Sequence, residues 1–358
     1  MGKSDLSGIW RRISLQLKKV LFEAFLTGIL FFISCLLLNA QPADNALTSN
    51  ETHELTIYVL RSASPLNWES PATLYNSYKK STITNFVKKE RTIKGHFFIK
   101  LSTPLLEEPL YAGIVSVDRK EEKKLIFIKK IGLSIFGITM KGTIQGRDIL
   151  ERKIAVHTQN NDIAYMKIKL NKSAAQRIID FYTIYTTDFV QNYSPSDFYG
   201  GAFWPRYENE GAACSSFALA ILDLVQVDDI ETDKWQKTIN IPMDLIGGDL
   251  NNLKKVKVRD IKHAKSWYVG NGIENVDFIS FNICDPSTAY YWILEHRKSE
   301  NNIPNLAFTA DQENGIPGLL IDKSKVMIDL SEPIIQKRPD KNIFIDYHYT
   351  NLNKIDAK

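Results

Sequence analysis

Residues 210–218 read Glu-Gly-Ala-Ala-Cys-Ser-Ser-Phe-Ala, so small residues lead into the thiol of Cys214. The thiol in turn opens an apolar helical pattern that runs to about Val225. At a helix start, unpaired backbone N–H groups and the positive end of the helix dipole stabilise a thiolate. Glycine and alanine before the thiol leave room for a substrate to approach. The stretch therefore predicts a helix that begins at a candidate nucleophilic cysteine.

The same helical pattern supports a second interpretation of Cys214. Counted by three and four, the cysteine shares a face with apolar residues, namely Phe217, Ala218, Ile221, Leu222 and Val225. A cysteine on such a face is also explained as a small buried hydrophobe with an inert thiol. A disulfide between Cys214 and Cys284 is a further alternative, because an oxidising compartment favours pairing.

A nucleophilic thiol needs a base, and His96 is the first candidate. It follows Gly95 at the start of the strand-like run His96–Leu101, where His96, Phe98 and Lys100 share one face. Its lysine neighbours leave open that it simply faces solvent. The rival base is His263, 49 positions after Cys214, in a charged context.

The region from Leu55 to Leu170 is predicted to be mainly antiparallel β-structure. Its strand-like runs are 55–60, 96–101, 110–117, 124–129, 134–138, 154–157 and 163–170. Beyond it, the spacing predicts helices over 173–190 and 286–295 and a strand over 277–283. Residues 344–349 are interpreted as an edge strand.

An aromatic, glycine- and proline-containing stretch separates the first of these helices from the cysteine helix. Tyr199, Trp204 and Tyr207 belong to it, and we interpret them as candidate substrate contacts in a pocket wall. The alternative is a stiff loop packed on the core.

The chain begins with a basic region followed by the apolar run Ala24–Leu38, so residues 1–43 are predicted to be a signal peptide or an uncleaved signal anchor. A lipidated Cys35 is disfavoured because the apolar run continues past it. Residues 44–54 are interpreted as a linker, 55–335 as the main domain and 336–358 as a polar tail. The protein is therefore expected to be exported, and to lie in the periplasm, be secreted or be anchored to the envelope.

The formal net charge of the 358 residues is +4 and shrinks once the basic N-terminal region is removed. No nucleic-acid partner is expected from such a balance, and membrane contact is expected only through an uncleaved N-terminal segment. No pair of Cys or His residues shows the spacing of zinc ligands, so no metal or other cofactor is expected.

With Gly95-His96 on a strand ahead of Ala213-Cys214-Ser215-Ser216-Phe217 on a helix, the chain resembles the circularly permuted NlpC/P60 branch of the papain-like cysteine peptidases and amidases. That resemblance implies an α+β fold, with an antiparallel sheet, a papain-like core and an inserted or appended β-rich region. It also implies that Cys214 is the nucleophile and His96 the general base, and that backbone N–H groups at the helix start stabilise the oxyanion. The family's third polar residue has no clear match here; Ser116, Asp118 and Thr103 are candidates.

The expected function is a thiol hydrolase or acyltransferase that acts on an amide, peptide or acyl ester bond. Peptides, cell-wall peptides and lipid acyl groups are the expected substrate classes. The alternative is a non-catalytic exported binding or structural protein in which Cys214 is buried or bridged to Cys284.

Overall fold

One large sheet organises the molecule. The computed structural model describes residues 51–88, 92–117, 119–187, 192–227, 230–298, 308–340 and 342–356. The strands in the described part of the chain are β1 (His53–Leu60), β2 (His96–Ser102), β3 (Leu110–Ser116), β4 (Met140–Gln145), β5 (Ile163–Leu170), β6 (Phe198–Tyr199), β7 (Gln236–Pro242), β8 (Phe278–Cys284), β9 (Phe308–Glu313) and β10 (Ile316–Asp322). Eight of these form the large sheet, in the order β6-β4-β3-β2-β1-β5-β10-β9. Neighbouring strands are antiparallel except β5 and β10, which are parallel.

Helices cover both faces of this sheet. The α-helices of the described residues are α1 (Pro71–Lys88), α2 (Arg119–Lys124), α3 (Arg147–Gln159), α4 (Lys172–Thr187), α5 (Cys214–Leu224), α6 (Val258–His263), α7 (Pro286–His296) and α8 (Ile343–Asp356). The main hydrophobic cluster joins one face of the sheet to apolar residues of α4, α5 and α7. A smaller cluster on the opposite face includes Tyr58, Phe98 and Tyr165 from the strands and Leu150 from α3.

Side-chain alternation along β2 assigns its residues to the two faces. Phe97, Ile99 and Leu101 belong to the main cluster. Phe98 belongs to the smaller cluster, and the ring of His96 lies 5.9 Å from the ring of Phe98. His96 and the cysteine helix α5 therefore contact opposite faces of the sheet.

A second sheet, made of β7 and β8, builds its own cluster from residues such as Ile241, Ile279 and Phe281. The buried Phe344 of α8 belongs to it. Residues 336–358, expected to be a polar tail, thus contain a helix packed on the fold. Likewise, residues 53 and 54 of the expected linker belong to β1.

Several predictions of element type are confirmed. The structure has a mixed composition of helix and strand with a large, mostly antiparallel sheet, and β5, α4, α5, α7 and β8 lie where they were expected. The papain-like core that the resemblance implies stays a prediction.

Other predictions of element type are wrong. Residues 124–129 and 134–138 are mainly helical turns, 154–157 lie within α3, and 344–349 lie within α8. Short apolar runs fit a strand or one turn of a buried helix equally well, and their tertiary packing decides between the two. Helix α1 lies between the predicted strands 55–60 and 96–101, where the sequence pattern predicted no helix or strand.

Candidate functional site

Cys214 is the first residue of α5, as the sequence predicts. Ala213 has an extended backbone (φ −88°, ψ 167°), and its N–H donates to Ser216 Oγ at 2.9 Å. The hydroxyl of Ser216 donates to the carbonyl oxygen of Ala213 at 3.2 Å. The serine side chain therefore closes the first turn, and the partly buried thiol of Cys214 stands at the start of the helix.

The small residues before the thiol are needed for packing. A Cβ atom on Gly211 would lie 1.9 Å from the carbonyl oxygen of Phe198 in β6. The N–H of Ala212 donates to that carbonyl at 3.2 Å. The backbone of β6 thus fills the space that we expected a substrate to use, and Gly211 lets the turn pass directly against this strand.

The pKa of the Cys214 thiol is set by burial and by opposing groups around it. The opposing groups include the backbone N–H groups of Phe97, Ser215 and Cys214 itself. Burial raises the pKa of the thiol, whereas these N–H groups and the positive charge of Lys153 oppose that rise. Burial prevails, so the resting form at neutral pH is the thiol. The surrounding donors are arranged to stabilise negative charge on or beside the sulfur.

A charged pair lies beside the thiol. Lys94 Nζ contacts Glu122 Oε1 at 2.7 Å and lies 5.8 Å from the ring centroid of Tyr78. Burial alone lowers the pKa of Lys94, but the Glu122 carboxylate and the negative charge of a Cys214 thiolate raise it overall. Lys94 is therefore a cation that favours the thiolate form of the cysteine.

Tyr199 lies within the same environment. Burial raises the pKa of its hydroxyl, and the negative charge of a Cys214 thiolate and that of the Glu122 carboxylate raise it further. Of the three aromatic residues proposed as substrate contacts, Tyr199 is the one whose electrostatic surroundings include the thiol. Its phenol is neutral at physiological pH and is available as a hydrogen-bond donor.

His96 is 4% exposed, and its Nε2 lies 3.2 Å from Oε1 of Gln145 in β4. Lys153 Nζ donates to the same Oε1 at 2.9 Å, which identifies this atom as an acceptor. Nε2 of His96 therefore carries the proton and donates it to Gln145. Burial, followed by the charges of Lys153 and His157, holds the pKa of His96 well below its ordinary range, so its ring is neutral.

The structure places His96 and Cys214 at the same end of β2 but on different sides of the sheet. Phe97, the residue directly after His96, belongs to the hydrophobic cluster against which Cys214 packs. The positive charge of Lys153 lowers the pKa of both groups, so both lie within its electrostatic reach. Both residues are described, and the structure records no hydrogen bond between them.

The three candidates for an orienting residue differ in position. Thr103 Oγ1 lies 2.7 Å from Nδ1 of His53, at the opposite end of β2 from His96. Ser116 ends β3, and its buried Oγ has no hydrogen-bond partner among the described residues. Asp118 lies outside the described residues. The residue that contacts His96 is Gln145, which the sequence reasoning missed.

His263, the rival base, ends α6 and is exposed. Helix α6 packs near α1, and its Ile261 belongs to the cluster of the second sheet rather than to the cluster that contacts Cys214. The structure therefore groups His263 with a different part of the fold from the thiol.

A buried ion pair holds the turn that leads to Cys214. Glu210 is fully buried, and Arg338 contacts it through two bonds, Nε to Oε1 at 2.6 Å and Nη2 to Oε2 at 2.8 Å. The N–H of Trp204 donates to Glu210 Oε2 at 3.0 Å, and the guanidinium of Arg338 lies 4.6 Å from the ring centroid of Tyr207. The pair thus fixes Trp204 and Tyr207, so these two aromatic residues belong to a packed, anchored loop.

Cys284, at the end of β8, is a free thiol, and so is Cys214. These two cysteines of the described residues are therefore free thiols and do not form the disulfide of the alternative interpretation. Burial raises the pKa of Cys284, and the negative charge of Cys214 adds to that rise. The second thiol is therefore protonated at neutral pH and lies within electrostatic reach of the first.

Within the described ranges, no group of three or more His, Cys, Asp or Glu side chains is placed to hold a metal ion. In that same part of the chain, no helix combines the length and apolar character needed to cross a bilayer; the predicted segment 1–43 lies outside it. The chain matches no protein-family model, no curated protein and no solved structure.

Proposed function

We propose that the chain is a thiol-dependent hydrolase or acyltransferase with Cys214 as its nucleophile. The observation that carries the proposal is the position of Cys214 as the first residue of α5, where the unpaired N–H groups of the first turn and the positive end of the helix dipole favour a thiolate. Such donors stabilise a thiolate, and they also stabilise the oxyanion that forms when a thiolate attacks a carbonyl carbon. The charge of Lys94 and the hydroxyl of Tyr199 add to this environment.

In the proposed reaction the sulfur attacks an amide, peptide or acyl ester carbonyl and forms a thioester, and the amine or alcohol leaves with a proton. Water or another acceptor then releases the acyl group. The large antiparallel sheet with the cysteine helix on one face is the element that we assign to a papain-like, permuted NlpC/P60-type core.

The proposal assigns removal of the thiol proton to His96. Its neutral ring is in the protonation state that a general base requires. Its Nε2, however, donates to Gln145 on the face of the sheet opposite α5, so the ring must leave Gln145 and the start of β2 must rearrange before His96 can accept the proton. His96 directly precedes Phe97, which packs in the same hydrophobic cluster as Cys214, so base and nucleophile share one end of β2 across the sheet.

An acyl-trapping experiment tests the nucleophile. The full-length protein is incubated with p-nitrophenyl esters of short and long acyl chains, and the covalent product is located by mass spectrometry. We expect a hydroxylamine-sensitive thioester on Cys214 that is lost in Cys214→Ser and kept in Cys284→Ser. Labelling that is equal at both cysteines, or absent from the folded protein, would contradict the proposal.

The pH dependence of iodoacetamide labelling tests the base. Fast labelling of Cys214 below the ordinary thiol pKa of about 8.5, lost in His96→Ala and kept in His263→Ala, identifies His96. A rate that follows an ordinary or higher pKa in all three proteins would mean that no activated pair exists.

A non-catalytic binding or structural protein is the second candidate, and a specific observation favours it. Burial raises the pKa of Cys214, and the side chain packs against the main hydrophobic cluster. On this account Cys214 is an inert core thiol, and almost no labelling occurs until the protein is unfolded.

Export, and action on envelope peptides or lipid acyl groups, also belong to the proposal. They rest on the sequence of residues 1–43, which lie outside the described residues. A fusion of residues 1–54 to a reporter enzyme that is active only after export tests this part separately.

A further inference from the structure

An exposed apolar bulge with lysines on both sides lies between α2 and β4. Residues 123–130 read Lys-Lys-Leu-Ile-Phe-Ile-Lys-Lys. Leu125–Lys129 form one wide helical turn with no buried residue, and Phe127 and Ile128 are 62% and 71% exposed. Two adjacent large apolar side chains exposed at the tip of a turn form a candidate contact surface for a membrane or a partner protein.

The bulge is held at its base by the fold. Ile131, directly after it, is buried, and its N–H donates to the carbonyl of Leu125 at 3.2 Å. The carbonyl of Lys130 accepts from the N–H of Val256 at 2.7 Å, and that of Ile131 accepts from Gly247 at 3.0 Å. These bonds fix the ends of the turn, so the fold presents Phe127 and Ile128 outward.

The charge around the bulge is strongly positive. Residues 120–130 contain five lysines and two glutamates, a net charge of +3, whereas the whole chain carries only +4. Both glutamates have cationic partners, since Glu121 pairs with Lys124 at 3.0 Å and Glu122 pairs with Lys94 at 2.7 Å. Lys123 and Lys129 are exposed beside the apolar tip.

From this charge and exposure we infer that the bulge docks the folded protein on a bilayer that contains anionic lipids. Phe127 and Ile128 enter the boundary between headgroups and acyl chains, while the flanking lysines keep their ammonium groups at the phosphates. This contact is additional to the N-terminal segment and does not depend on the catalytic role of Cys214. Because Glu122 pairs with Lys94, docking also brings the charged side of the thiol site near the lipid surface.

Vesicle flotation tests the inference, with residues 51–358 used to remove the N-terminal segment. This fragment is suitable because Glu51–Lys358 form one compact unit that contains the hydrophobic clusters described above. The probes are vesicles of phosphatidylcholine alone and vesicles in which about one third of the lipid is phosphatidylglycerol. We expect binding to the anionic vesicles, weakened by added salt, and little binding to the neutral ones.

Two sets of variants separate the apolar from the electrostatic contribution. Phe127→Ser with Ile128→Ser is expected to lower partitioning to anionic vesicles about tenfold or more. Lys123→Gln and Lys129→Gln are expected to lower it about fivefold each. The matched control is Ile273→Ser with Val276→Ser, because these side chains are also 67% and 61% exposed but have Glu274 and Asp277 beside them.

The control variant is expected to bind like the unmodified fragment. Circular dichroism and melting temperature establish that each variant is folded. Absence of binding to anionic vesicles by the unmodified fragment would overturn the inference. Equal losses in the bulge and control variants, or binding that ignores lipid charge, would overturn it as well.

Discussion

Replacing Arg338 with methionine removes one side of the buried ion pair below the cysteine turn. In the native protein Arg338 gives Glu210 two close hydrogen bonds, and the carboxylate is fully buried. Without Arg338, the N–H of Trp204 at 3.0 Å and the more distant hydroxyl of Tyr349 at 3.5 Å remain as donors. Leaving one partner of a buried pair uncompensated lowers the free energy of unfolding by about 3–5 kcal/mol.

Urea denaturation at neutral pH measures this loss. The double variant Glu210→Met with Arg338→Met leaves no uncompensated charge, so we expect it to recover most of the lost stability. Lys254→Met serves as the control, because Lys254 pairs with the exposed Asp244 at 2.5 Å on the surface, and its loss should change stability by less than about 1 kcal/mol.

The pH dependence of the Arg338→Met variant gives a second readout. Burial already raises the pKa of Glu210, and Arg338 opposes that rise. Removing Arg338 raises this pKa further in the folded state, so the folded protein binds the proton more tightly than the unfolded chain does. The stability defect is then largest at high pH and shrinks as pH falls through the raised pKa. A loss below about 1 kcal/mol that is independent of pH would refute the reasoning.

Three further predictions concern glycine, core and titratable residues. Gly211→Ala should destabilise the protein by several kcal/mol, on the order of a severe overpacking defect, because its Cβ would overlap β6. Gly146→Ala is the control: no atom lies within 4 Å of its Cβ, so it should be well tolerated in the same urea titration. Phe217→Ala should lower the free energy of unfolding by about 3–5 kcal/mol, because Phe217 is buried in the main cluster. Phe86 is 83% exposed, so Phe86→Ala should lower it by less than about 0.5 kcal/mol. Similar losses in the two variants would refute the assignment of Phe217 to the core. The pKa of His96 is lowered in the folded state, so the unfolded chain binds the proton more tightly than the folded protein does. The free energy of unfolding should therefore fall by up to about 1.4 kcal/mol per pH unit as pH drops below about 6.5. His96→Gln should reduce that slope. An unchanged slope in the variant would show that other groups cause the acid sensitivity.

Local sequence patterns determined several elements of the fold. A mostly apolar run sufficed for β5, and helical spacing sufficed for α4 and α7. Cys214 also begins its helix where the pattern placed it. These features succeed because hydrogen bonds and burial within one segment repeat every two or every three to four residues.

Tertiary structure decided how these elements combine into a site. Arg338 and Glu210 are 128 positions apart, and Gln145 lies 49 positions from His96, so no local pattern relates them. Residues 154–157 became helical because α3 covers one face of the sheet and buries Leu150 and His157 there. Gly211 is small because β6 lies against it.

The sequence by itself therefore determined the type of several elements and the position of the thiol at a helix start. Only the packed sheet decided that the imidazole of His96 contacts Gln145 on one face while α5 occupies the other. The physical reason is that the face on which a side chain lies depends on strand register and on the helices that cover each face. Both are set by contacts between residues far apart in the chain.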